Sequence, residues 1–194
     1  MVAFGNTPKI IAYGDAESDL VLFVRGHGTL PPGLWYRTRT CVSAIFEKIN
    51  FRVNWQNGNP PNRTLPGPIG IVIHFVGAQS KAIGAQVPIC SSGAACTVPF
   101  SSANSSITVM YDRGGAVIRK PASFHVVLAH VIAHEITHVV QVTDRHSDHG
   151  IMKAIWTAAD VAQIESSGLG FTPQDVEFIR QGFDYRRRLT RVPE

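Results

Sequence analysis

His134, Glu135 and His138 fall in one short run, His-Glu-Ile-Thr-His, and their types and spacing could hold a divalent metal and activate a water molecule. On a helix, imidazoles at i and i+4 have Cβ atoms about 5–6 Å apart, so both rings reach one tetrahedral ion. Glu135 is turned about 100° from His134, which lets its carboxylate face an ion-bound water without ligating the ion. With 8 His in 194 residues, such a run arises by chance about once in a hundred chains of this composition. The surrounding sequence therefore decides what the run means.

A catalytic zinc takes three protein ligands and keeps its fourth position for water. Asp144, His146 and His149 lie within reach downstream. In the metzincins a Gly ends the helix three residues after the second His, and the third His follows three residues later. Gln141 and Asp144 occupy those places here, a departure from the motif. The run His146-Ser147, followed closely by Ile151-Met152, nevertheless resembles the end of the metzincin motif, where His-Ser precedes a methionine turn. The resemblance implies His146 as third ligand, two residues later than usual, and Met152 packed beneath the ligands. Generic core packing is the other reading of Met152. Asp144 stands as the alternative third ligand, since carboxylate oxygen also binds zinc. Without Gly at 141 the helix lacks an easy left-handed stop and is expected to run slightly further, turning at Thr143-Asp144. His149 reads as a surface or supporting residue.

The likeness extends from Ile107 to about Gly182, through Ile-Thr-Val-Met-Tyr-Asp-Arg, Gly-Ile-Met-Lys-Ala-Ile-Trp and Phe-Thr-Pro-Gln-Asp-Val. That block resembles small bacterial zinc metallopeptidases with His-Glu-Ile-x-His, His-Ser and Gly-x-Met motifs. It implies a zincin-type, metzincin-like fold: an α+β domain with a mixed twisted sheet of about four strands on a central zinc-binding helix, followed by C-terminal helices. The implied cofactor is Zn2+, and the implied activity is that of a metalloendopeptidase with Glu135 as general base. Two alternatives stay open. One is a gluzincin-type peptidase with Glu165 as third ligand; the other is a silent zinc-containing binding or structural module.

The elements that must position these residues can be read along the chain. Residues 1–18 read as a loosely ordered segment, and 19–194 as a single domain. Asp19 to Arg25 is a buried strand. Pro31-Pro32-Gly33 opens a helix to about Asn50, with Leu34, Cys41, Ile45 and Ile49 on its apolar stripe. Phe51 to Trp55 alternates as a strand, and the continuous apolar run Ile69 to Val76 is a central one. Residues 77–106, rich in Ser, Gly and Ala, read as a long loop or weak hairpin. Ile107 to Asp112 is the last strand; the resemblance implies that it forms the edge along which an extended peptide or protein substrate pairs. Tyr111 reads as half-buried packing, with a contact to a substrate carbonyl as the other reading. The zinc helix runs from Ser123, as N-cap, to about Gln141. Its many β-branched residues make it poor in isolation, so burial must stabilise it. His130 shares the stripe of His134 and reads as a core or supporting histidine. Thr157 caps a further helix, and Thr172-Pro173-Gln174-Asp175 opens a final one.

Composition bounds the remaining possibilities. A hydrophobic content of 44% and a net charge of +4 describe an ordinary globule. The basic excess gathers near Arg186-Arg187-Arg188 without a recognition motif, so nucleic acid is not an expected partner. No run approaches the ~20 apolar residues of a membrane span, and the start of the chain lacks the pattern of a signal peptide. Of three cysteines, Cys41 reads as a buried hydrophobe. Pairing of Cys90 with Cys96 would point to an oxidising compartment.

Overall fold

The computed structural model describes residues 20–60, 69–77, 94–97, 105–114 and 123–189. Residues 1–18, Cys90 and Pro121 lie outside these ranges. The continuous apolar run Leu-Val-Leu-Phe-Val forms β1 (Leu20–Arg25), with its first five residues buried. A strand buried on both faces needs partners on both sides, and β1 has them: it pairs in parallel with β2 (Val53–Asn57) and with β3 (Ile69–Val76). β3 pairs in turn with β5 (Ser105–Met110), again in parallel. A short fifth strand, β4 (Ala95–Thr97), runs antiparallel to β5, with Cys96 opposite Thr108. The sheet order is β2-β1-β3-β5-β4.

Two expectations change here. β4 comes from the stretch that reads as a long loop or a weak hairpin, and its antiparallel pairing with β5 fits the second of these. In consequence β5 is enclosed between β3 and β4, and among the described residues the edge on that side is β4, not the strand at Ile107 to Asp112. That strand also ends two residues early: Tyr111 begins a single helical turn, α2 (Tyr111–Gly114). β2 starts two residues later than the alternation predicts, because the Phe51 ring stacks on Phe183 at 4.4 Å as part of the core. Cys96 is disulfide-bonded and Cys41 is a free thiol.

α1 (Leu34–Glu47) buries Leu34, Thr38, Val42, Ile45 and Phe46 against the sheet. Cys41 is one residue, about 100°, from the centre of that stripe; it is half-buried at the rim instead of inside, and burial pushes its thiol pKa up. Beside α1 lies α3 (Phe124–Gln141), on the face of the sheet lined by Leu20, Leu22, Ile71, Ile73, Ile107 and Val109. α3 is buried along most of its length, which supplies the stability its Val- and Ile-rich sequence lacks intrinsically. Ser123 is its N-cap residue, without a side-chain capping bond.

α4 (Ala158–Ser166) and α5 (Pro173–Leu189) pack against α3 from below. Thr157 and Asp160 form a reciprocal capping box on α4. α5 approaches α3 so closely at Gly182 that a Cβ there would lie 2.2 Å from the Val140 carbonyl oxygen. Among the described residues, no helix is long and apolar enough to cross a membrane.

Candidate metal centre

α3 carries His134 and His138 one turn apart, with ring centroids 4.6 Å from each other. Each ring is fixed by its Nδ1. His134 Nδ1 donates to the Ile151 carbonyl at 2.8 Å, and His138 Nδ1 donates to the Thr143 carbonyl at 2.9 Å. A carbonyl can only accept, so both protons sit on Nδ1 and both Nε2 atoms offer lone pairs. These two Nε2 atoms are 2.9 Å apart. Facing lone pairs repel unless a cation lies between them. Two nitrogens on a tetrahedral zinc at ~2.0–2.1 Å would stand about 3.3 Å apart, a few tenths of an ångström wider than seen here. The donor set fits a divalent metal.

His146 completes a group of three. Its ring centroid lies 5.3 Å from that of His134 and 4.8 Å from that of His138. One ligand atom from each of the three lies within 4.8 Å of the others. Asp144 and His149 are exposed, and neither they nor Glu165, on α4, belong to this group. Asp144 is near enough to favour the charged form of His138.

Electrostatics keep the donors neutral. Burial lowers the pKa of His134, and burial with the neighbouring His134 lowers that of His138 to about 4. Neutral imidazole is the ligating form. Glu135 is also buried, and burial pushes its carboxyl up to about 7. A carboxyl poised there can exchange a proton near neutral pH.

The helix ends at about the expected residue, but the turn comes at Val142 and not at Thr143-Asp144. α3 ends at Gln141, and Val142 takes the left-handed conformation (φ 52°, ψ 45°) that glycine normally supplies. A β-branched residue there is strained by about 1–2 kcal/mol. The chain therefore turns one residue after the motif's glycine position, without running on to Thr143. The Thr143 amide bonds back to the His138 carbonyl, which places the Thr143 carbonyl against the His138 ring.

Below the ring of His134 the chain makes a tight turn at Gly150 (φ 78°), where a Cβ would lie 2.6 Å from the Gly170 carbonyl oxygen. Ile151 and Met152 follow, both fully buried. The Ile151 carbonyl fixes His134, and the Met152 carbonyl accepts from the Ser147 amide at 2.8 Å, closing the loop that carries His146. His130 is fully used in the core: Nδ1 donates to the Val126 carbonyl and Nε2 accepts from the Leu169 amide. The Tyr111 hydroxyl donates to the Thr29 carbonyl at 3.1 Å.

Two features escaped the sequence reading. The indole of Trp156 stands edge-on to His134, with centroids 6.1 Å apart; an aromatic after the Met turn was visible, but its direction was not. Asp175 is fully buried and reaches both neighbours of His146, Arg145 and Ser147, each at 2.5 Å. Its pairing with Thr172 was legible as a helix cap; its second set of contacts was not.

No family model matches the chain, and no curated protein sequence is similar to it. Among solved structures it is similar to archaemetzincin from Methanopyrus kandleri, with a TM-score of 0.53 at 10% identity, over 89% of this chain and 99% of that one. Identity that low transfers no residue roles, but the likeness shows the architecture. The chain has the fold of a small metzincin-like, zincin-type domain.

Proposed function

We propose that this protein is a zinc-dependent metalloendopeptidase in which His134, His138 and His146 hold the metal and Glu135 is the general base. The observation that carries this reading is the pair of Nε2 lone pairs aimed at one point, with His146 beside them. Bound zinc would supply Lewis acidity, acidifying a water and polarising the scissile carbonyl. The protein's own part is to keep His134 and His138 neutral by burial and oriented by the Ile151 and Thr143 carbonyls, and to hold His146 beside them. Glu135 takes the proton of the attacking water on its carboxylate and delivers it to the leaving amine nitrogen. Its raised proton affinity suits a group that must hold that proton briefly. Met152 packs beneath the ligands, and Asp144 has no ligating role. An extended peptide or protein substrate pairs its backbone along an edge strand of the sheet, and that ladder gives affinity with little sequence preference.

Replacing Glu135 with Gln tests the reading. Hydrolysis of an unstructured protein such as casein should fall by about 10²–10⁴-fold, while stoichiometric zinc and the melting temperature persist. Absence of zinc binding by the unaltered protein, or full activity of the Gln variant, overturns it.

A further inference from the structure

His146 stands on an exposed loop, two residues further from the second histidine than the metzincin spacing, yet its flanks are tightly held. Asp175, near the start of α5, has no solvent exposure. One carboxylate oxygen, Oδ1, accepts from Arg145 Nη2 and from Ser147 Oγ, both at 2.5 Å. The other, Oδ2, accepts from the Thr172 amide at 3.0 Å, while the Asp175 amide donates to Thr172 Oγ1. Arg145 Nη1 also reaches Ser147 Oγ at 3.3 Å and the His146 carbonyl at 3.4 Å. The Arg145 guanidinium lies over the Phe178 ring at 4.6 Å, which fixes its plane. One buried carboxylate thus ties the residues on either side of His146 to the N-terminal turn of α5.

We propose that Asp175 and Arg145, with Ser147, are positioning residues that hold His146 at the metal-binding point before any metal arrives. The proposal rests on the zinc reading of the site. A loop lengthened by two residues has more conformations in which its imidazole misses the ion, and each must be excluded on binding. The Asp175 brace excludes them in advance. Its two oxygens divide the work: Oδ2 caps α5, and Oδ1 fixes the ligand loop. The sequence reading contained only the first of these roles.

The division makes the brace separable from helix capping. Zinc dissociation constants, measured by chelator competition on the purified full chain, should rise about 10–100-fold for Arg145→Met and by less for Ser147→Ala. Thr172→Ala removes a capping partner and leaves Oδ1 untouched, so its melting temperature should fall while zinc affinity stays within about twofold. In a His146→Ala background, Arg145→Met should cost no further zinc affinity beyond about twofold, because the arm it positions is gone. A purely structural role would cost the same in both backgrounds. The visible spectrum of the cobalt-substituted Arg145→Met protein should shift toward that of His146→Ala. Should Arg145→Met fail to fold for want of a counter-charge to Asp175, Ser147→Ala and Arg145→Lys carry the same comparison. Wild-type zinc affinity in the strut variants, or equal loss in Thr172→Ala, overturns the brace. Failure of the unaltered protein to bind zinc overturns the metal reading instead.

Discussion

His134 and His138 stand on a helix that is buried between α1, α5 and the sheet, whereas His146 stands on a loop whose neighbours Asp144, Asp148 and His149 face solvent. The helical pair is set by a local rule, since i and i+4 side chains on any helix share a face. Its stability comes from apolar burial. His146 has no such local rule; Arg145 and Ser147 beside it donate to the Asp175 carboxylate, and the Ser147 amide donates to the Met152 carbonyl, which holds its flanks. The difference teaches that a group of three histidines able to hold a metal can be half periodicity and half scaffold. Each half should fail in its own way.

The largest effect should come from the helical half. His134→Ala or His138→Ala removes one of two lone pairs 2.9 Å apart and should abolish measurable zinc binding at micromolar metal. His146→Ala should leave a two-imidazole site that still binds, more weakly, and Asp144→Ala should change zinc affinity by less than about twofold. Equal losses at all three histidines would erase the distinction between the halves. A loss at Asp144 matching that at His146 would move the third ligand.

Gly182→Ala tests the packing under the helix. The new methyl meets the Val140 carbonyl at 2.2 Å, so α5 must move away from α3, at a cost of about 1–3 kcal/mol. Chemical denaturation should show that loss. Because α5 also carries Asp175, zinc affinity should weaken as well.

The pH dependence of the metal-free protein isolates the helical half by charge. His138 stays unprotonated in the fold down to about pH 4, and His130 and His134 are lowered by burial too. Unfolded imidazoles take up protons near 6.5. Their contribution is therefore complete above that value and lost as the pH falls toward 4. Glu135 acts in the opposite sense: it keeps its proton up to about 7 in the fold, so raising the pH from about 4.5 costs stability. Three groups outweigh one, and the melting temperature should drop between pH 6.5 and 4. Glu135→Gln should steepen that drop by removing the opposing group. A flat profile would contradict the burial argument.

The smallest effect lies at the junction between the halves. Val142→Gly relieves a left-handed φ of 52° and should raise stability by about 1 kcal/mol, with zinc affinity close to the original. A loss of affinity would show that the strained valine itself helps aim the loop.

Much of this was legible in the residues. The central strand Ile69–Val76 was legible because a strand buried on both faces must be apolar throughout. The span of α3, and the fact that burial must hold it, followed from its β-branched content. β4 was legible only as the weak-hairpin alternative for residues 77–106, since three residues of Ala-Cys-Thr pair because β5 offers them an edge. The expectation that β5 would be that edge failed for the same reason. The left-handed turn at Val142 was missed because a propensity argument penalises valine there, while the surrounding packing overrides the penalty.

The sequence by itself determined which groups could meet a metal on one side: the period of the α-helix converts the spacing of His134 and His138 into a shared direction, whatever the fold. It also determined the chemistry available to Glu135. Only the tertiary structure decided that His146 joins them and Asp144 does not. It alone made Asp175 a brace as well as a cap, because contacts between residues some 30 positions apart follow from how α5 docks on α3, which local periodicity does not encode.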